Sequence, residues 1–277
     1  MATCPVLALN KTMQIYDTTI LSHDVLSGGY RMLCLSAPAI ADDALPGQFI
    51  HLRIPNIEPS ALRRPFSLCK AEGGVLSILY KDVGRGTEAM GRLRVGETVN
   101  VIGPLGNTFP TPAQSAVPLL IAGGFGVAPL LFLAERLAPK KGVLFVGGRT
   151  RADILLVDEF KAIGWETQVC TNDGSFGTKG FVTAALDAWQ RQNPATPVEM
   201  YCCGPEPLLE AVDTRAVEWG VKAWLSLDRR MGCGIGACLG CVQMMKRTGA
   251  DGTEEKYRAR VCKDGPIFKA GTLVWED

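Results

Sequence analysis

Four cysteines limit what this chain can become more than any other feature. Cys233, Cys238 and Cys241 stand as C-x4-C-x2-C, and Cys262 follows twenty-one positions later. That spacing suits a [2Fe–2S] cluster held by four thiolates. The C-terminal part must then contain a loop that wraps an inorganic core. The stretch Met231-Gly232-Cys233-Gly234-Ile235-Gly236-Ala237-Cys238-Leu239-Gly240-Cys241 supplies the glycines for such a loop. Glycine admits positive φ and lets backbone N–H groups approach the sulfurs, contacts that help set a reduction potential. A four-thiolate zinc site is the alternative, although zinc ribbons usually pair two CxxC knuckles and this stretch has one. An iron–sulfur cluster moves one electron at a time, which points to an electron carrier or redox enzyme rather than a hydrolase.

At 277 residues the chain has room for two or three domains. A net charge of +1 gives no electrostatic ground for a nucleic-acid partner. The basic pairs Lys140-Lys141 and Arg229-Arg230 read as solvated surface. Ten cysteines without a charged-then-apolar leader fit a reducing, cytoplasmic setting in which thiols bind metal or stay free. One stretch, 117–134 (VPLLIAGGFGVAPLLFLA), is apolar over nearly a membrane-spanning length. Gly123, Gly124 and Gly126 in its middle, followed by Pro129, make it a buried strand, a glycine turn and a helix instead. No membrane association is expected.

The first third carries short strand patterns at 18–26, 30–36, 48–54, 64–70, 75–81 and 98–102, punctuated by Gly and Pro, with Gly28-Gly29 marking a hairpin. One short helix is expected over 84–93. Repeated short strands of this kind predict a small antiparallel β-barrel. From Val117 the rhythm changes to strands at 117–122, 143–147, 166–170, 198–203 and 221–226. Helices at 128–137, 154–163, 183–190 and 207–219 fall between them. Alternating β and α predict a doubly wound parallel sheet with helices on both faces. The last fifty residues hold the cluster cysteines and little regular periodicity. The expected division is a barrel over 1–112, an α/β domain over 113–226 and a small cluster domain over 227–277.

Ligands of parallel α/β sheets bind at the carboxyl ends of the strands. Three glycine-bearing turns follow strands here: Gly123-Gly124-Phe125-Gly126, Gly147-Gly148-Arg149 and Cys203-Gly204-Pro205. Together they suggest a dinucleotide face, without the G-x-G-x-x-G fingerprint. In the barrel, Arg63-Arg64-Pro65-Phe66-Ser67-Leu68 opens a strand with a cation, an apolar surface and a hydroxyl, which suit a pyrophosphate and an aromatic ring system. The two histidines, His23 and His51, lie in no nucleophile or metal constellation and read as surface or barrel residues.

A barrel with R-x-F-S, followed by a domain with GG-x-G-x-x-P and C-G-P, is similar to the ferredoxin–NADP reductase superfamily. Gly84-Arg85-Gly86-Thr87 looks like that family's second flavin phosphate loop. The tail Val261-Cys262-Lys263-Asp264-Gly265-Pro266-Ile267-Phe268, the cysteine loop and the stretch 171–182 (TNDGSFGTKGFV) resemble the electron transfer subunits of dihydroorotate dehydrogenase B. The resemblance covers nearly all the chain beyond the first dozen residues.

The resemblance implies FAD contacts from Arg64, Pro65, Phe66 and Ser67, with Leu79, Tyr80 and Lys81 lining the flavin and its ribityl chain. Gly86 and Thr87 would hold the pyrophosphate, largely through backbone N–H groups. Cys233, Cys238, Cys241 and Cys262 would bind the [2Fe–2S] cluster. Gly123, Gly124, Gly126, Cys203 and Gly204 would frame the nicotinamide. Arg149 and Arg151 are candidates for a 2′-phosphate, but the resemblance implies NAD. It also implies an FMN-containing catalytic subunit that oxidises dihydroorotate, in a heterotetramer of two of each chain. Electrons would pass from FMN through the cluster and FAD to NAD+ in pyrimidine biosynthesis, and no side chain of this subunit is expected to act as a catalytic acid or base. Two other readings are an NAD(P)H-dependent flavin and iron–sulfur reductase component and a non-catalytic zinc-stabilised scaffold.

Overall fold

The computed structural model describes residues 14–55, 62–249 and 251–275; the N-terminal extension lies outside them. Six antiparallel strands close a barrel: β1 (Gln14–Val25), β2 (Tyr30–Ser36), β3 (Phe49–Arg53), β4 (Arg64–Glu72), β5 (Val75–Lys81) and β6 (Thr98–Leu105). Their order around the barrel is β1-β2-β5-β4-β3-β6. Alternation decides what fills it. On β3, Ile50 and Leu52 point into the barrel core, as do Leu76, Ile78 and Tyr80 on β5. The neighbouring Phe49 and Leu79 join cores outside the barrel. Strand β1 starts four residues before the expected position. Its polar first half gives no hydrophobic signal, but it pairs with β6 from Gln14↔Gly103 to Thr19↔Thr98 and so closes the barrel.

The second sheet runs β10-β9-β8-β7-β11-β12-β15. Its members are β7 (Val117–Gly123), β8 (Val143–Gly148), β9 (Glu166–Thr171), β10 (Thr178–Lys179), β11 (Val198–Cys203), β12 (Lys222–Ser226) and β15 (Ile267–Lys269). All pairs are parallel except β12 with β15. Side chains alternate between two helix layers. Leu119, Ile121, Met200 and Cys202 pack with helices Val182–Gln192 and Glu206–Trp219. Leu120, Ala122, Tyr201 and Cys203 pack with helices Val127–Arg136 and Val157–Ala162. The apolar stretch 117–134 is therefore a buried strand and helix. Among the described residues no helix is long and apolar enough to cross a membrane.

The last fifty residues are more regular than their sequence suggests. A hairpin joins β13 (Val242–Thr248) to β14 (Glu254–Arg260). Its inward positions on β13 are Gln243 and Met245. A buried glutamine hides the period of two from any hydropathy reading. Its amide is satisfied, donating to the Val274 carbonyl and accepting from Arg229. Arg229 is also clamped to Glu206 at 2.6 and 3.1 Å, so this arginine is not the solvated surface charge expected. Strand β15 then returns to the sheet edge, and Asn107 after β6 bonds both the N–H and the carbonyl of Ile267. Barrel, sheet and cysteine segment thus share one set of contacts around β15.

Candidate functional site

The cysteine loop is built around its sulfurs. Seven backbone N–H groups, from Cys233, Ile235, Gly236, Ala237, Cys238, Gly240 and Cys262, point at the four Sγ atoms at 3.1 to 3.5 Å. The sulfurs fall into two pairs. Cys233 and Cys238 each accept from the other's amide near the surface, while buried Cys262 donates its N–H to Cys241 Sγ. Among the described residues no three His, Cys, Asp or Glu side chains close on one metal ion. Four cysteine sulfurs under one shell of amides suit a metal group held by thiolates.

Electrostatics sets Cys233 apart from Cys262. Burial raises the Cys233 thiol, but the amides of Ile235, Cys238 and Ala237 outweigh it and bring it down to about 6. Burial, reinforced by Cys241, pushes Cys262 up to about 12. Cys262 gives up its proton only when a cation takes the charge, which is how a thiolate-bound metal behaves. The loop is held from below by Arg260, which bonds the Gly236 carbonyl and both carboxylate oxygens of Asp264.

The barrel face next to this loop carries the R-x-F-S strand. Opposite residues across β3 and β4 share a face, so Pro65 and Ser67 stand beside His51 and Phe49 outside the barrel. Phe66 points the other way, its ring edge-on to Tyr80 at 5.8 Å. Tyr80 is itself buried, with its hydroxyl 2.7 Å from His23 Nε2. Tyr80 can therefore reach a ligand on this face only through its backbone, while half-buried Phe66 leans toward the barrel core, a direction the motif does not reveal. Arg64 donates to the Leu62 and Arg63 carbonyls, and its Nε is 3.1 Å from where a methyl on Gly86 would be. The Arg64 guanidinium and the Gly86 backbone thus stand close enough that together they could hold a diphosphate. The Thr87 hydroxyl accepts from the amides of Val83 and Gly84, so it shapes that loop.

The three glycine turns come together at one sheet edge. Gly123 pairs with Gly147 and Ala122 with Cys203, setting the ends of β7, β8 and β11 side by side. A methyl on Gly126 would be 2.2 Å from the Cys203 carbonyl oxygen, which only glycine allows. Burial pushes the Cys203 thiol up to about 12, so it stays neutral. Arg151 lies over the Phe176 ring at 4.8 Å.

One polar cluster joins this edge to the barrel. Asp153, 8 % exposed, accepts from Tyr30 Oη at 2.8 Å and Lys81 Nζ at 3.2 Å. Lys81 Nζ also lies 4.3 Å above the Tyr30 ring. No motif flagged this latch, whose residues come from three distant segments; it also ties up the ammonium of Lys81. Burial raises the Asp153 carboxyl, but the hydrogen bonds from Tyr30, Lys81 and Thr150 outweigh it and hold it below its ordinary range. The resulting stabilisation is complete above the unfolded carboxylate pKa of about 4 and is lost as pH falls through the depressed folded value. Asp153→Ala leaves Tyr30 and Lys81 unpaired and is expected to cost about 2 kcal/mol of stability. Urea denaturation at neutral pH checks this, and the deficit shrinks in acid.

His51 falls in the barrel, one of the two places its sequence reading allowed. It is fully buried on β3, and among the described residues neither ring nitrogen has a hydrogen-bond partner. Burial, then the Arg63 charge, lower it to about 4, so the ring is neutral.

A family model described as the iron–sulfur cluster binding domain of dihydroorotate dehydrogenase B matches residues 228–274, and an oxidoreductase NAD-binding domain matches 120–214. The chain is 40 % identical over 264 residues to the dihydroorotate dehydrogenase B (NAD(+)) electron transfer subunit of Geobacillus kaustophilus (strain HTA426), covering 92 % of this chain and 97 % of that one. The counterpart from Desulforamulus reducens is 34 % identical over 270 residues, covering 95 % and 99 %. A solved structure of an NADH-dependent reduced ferredoxin-NADP oxidoreductase, studied for flavin-based electron bifurcation, aligns with a TM-score of 0.79 at 28 % identity, covering 93 % of this chain and 90 % of that one.

Proposed function

This chain belongs to the family of electron transfer subunits of dihydroorotate dehydrogenase B, and from that membership we propose that it holds FAD, a [2Fe–2S] cluster and NAD+ at three adjoining places. It is an oxidoreductase subunit and works with a catalytic partner. Family membership removes the zinc-stabilised scaffold weighed above. When bound, the cluster supplies single-electron transfer, and the flavin exchanges single electrons for the pair that reduces NAD+.

The chain's own residues bind and orient. Cys233, Cys238, Cys241 and Cys262 would hold the cluster, and the loop amides would stabilise the added negative charge on the sulfurs. Arg64 and the Gly86 backbone hold the FAD pyrophosphate, and Pro65 and Ser67 face the flavin ring. Gly123, Gly124, Gly126, Cys203 and Gly204 leave backbone exposed where the nicotinamide lies against it. The amide shell around the four cysteine sulfurs is the observation that carries this reading, since it stabilises thiolates and a disulfide does not need it.

The partner carries FMN and docks over the cysteine loop, in a complex of two copies of each chain. Leu239 and Ile235, 62 % and 39 % exposed, flank the exposed Cys238, and Leu239 has a φ of +57°. Exposed apolar side chains on a strained loop are what a partner covers. Anaerobic co-purification of the tagged chain tests the reading. An FMN-containing partner is expected, with NAD+ reduction by dihydroorotate; Leu239→Asp is expected to release the partner while flavin and iron stay bound. If the chain instead purifies alone and reduces a ferredoxin or oxygenase from NAD(P)H, the pathway assignment fails.

A further inference from the structure

We propose that His51 is a positioning residue for electron transfer between the two redox groups, filling the gap between the flavin-facing strand and the Cys233–Gly234 corner of the cysteine loop. The inference rests on the cofactor placement proposed above. Its basis is geometric. His51 points outward from β3, because its neighbours Ile50 and Leu52 fill the barrel core. On one side it pairs with Pro65 of the R-x-F-S strand, on the other with Ile102. Above it lies the cysteine loop: a methyl on Gly234 would be 2.5 Å from His51 Nδ1. Gly234 also has a φ of +72°, so this glycine is required twice, for its own backbone and for the imidazole beneath it.

The ring is an odd choice for a mere spacer. A buried polar atom without a partner is destabilising, and among the described residues His51 has two. A leucine would fill the same space without that penalty. The carbonyls of Cys233 and Arg63 lie beside the ring without reaching bonding geometry, and the charged groups facing it are Arg63 and Arg64. An imidazole offers at least one N–H donor. The Cys233 and Arg63 backbones each offer a carbonyl acceptor beside the ring. His51 Nδ1–H then bonds toward the Cys233 corner, which stabilises the more negative, reduced cluster. The same ring fixes the spacing between loop and flavin strand.

His51→Leu and His51→Gln in the full chain, loaded with both cofactors, test this. Iron and flavin per chain, the electron paramagnetic resonance signal of the reduced cluster and its midpoint potential are all read without turnover. In His51→Leu the signal is expected to change shape and the potential to become more negative. Electron exchange between flavin and cluster slows about 10-fold. His51→Gln, which keeps an N–H of similar reach, restores most of the potential. Full loading with an unchanged signal and potential in His51→Leu overturns the proposal. If His51→Leu loses iron, thermal unfolding of the cofactor-free protein decides. Stability equal to or above the unsubstituted chain, with iron restored in His51→Gln, supports the proposal; lowered stability, or no restoration, assigns the ring to packing and overturns it. Absence of flavin from the unsubstituted chain would instead overturn the FAD placement, and the cluster signal still reads His51 independently.

Discussion

Cys238→Ala is expected to strip iron and the iron–sulfur absorption from the purified chain while FAD stays bound. Cys238 Sγ accepts from the amides of Cys233 and Gly240 and lies on the exposed side of the loop. Its loss leaves three thiolates, with Cys262 still biased toward its neutral thiol by burial. A plant-type cluster needs all four. The barrel face does not depend on this side chain, because the loop meets the barrel through Gly234 and His51 and the tail meets it through Asn107. Iron analysis and the visible spectrum under anaerobic conditions check the result. Retained cluster absorbance together with lost flavin would reverse the assignment.

Arg64→Ala is expected to do the opposite, weakening FAD while the cluster stays bound. The guanidinium stands over Gly86, where a diphosphate would accept charge-assisted hydrogen bonds. Losing such bonds costs about 2 kcal/mol, roughly a thirtyfold rise in the FAD dissociation constant. Flavin release on dilution or gel filtration measures this directly. An unchanged flavin stoichiometry and affinity would remove Arg64 from the site. The two variants together separate the cofactor sites: each should empty one and spare the other.

The sequence made legible whatever local periodicity or spacing encodes. The alternation around Leu119–Ala122 and Met200–Cys203 marks strands buried on both faces, and the glycine turns after them mark one sheet edge. Cysteine spacing marked the stretch that the iron–sulfur cluster binding family model matches. What stayed hidden depends on contacts between distant segments. Strand β15 is three residues long and pairs with a strand some forty positions earlier. The hairpin of β13 and β14 buries a glutamine. The directions of Phe66 and Tyr80 follow from which way the barrel closes, and the Tyr30–Lys81–Asp153 latch spans two domains. His51 carried no signal at all, because a lone histidine on a strand acquires meaning only from the loop that covers it.

Strand β15 has one more consequence. It returns to the edge that β12 left, with Ser226 and Ile267 as direct partners. Topologically, residues 227–266 are an insert whose two ends are already joined by a sheet. Closing such a loop grows costlier only with the logarithm of its length, about 0.6 kcal/mol per doubling. Evolution can therefore lengthen, shorten or exchange this insert without redrawing the nucleotide-binding sheet, and an electron-carrying module becomes a graft that the host fold tolerates.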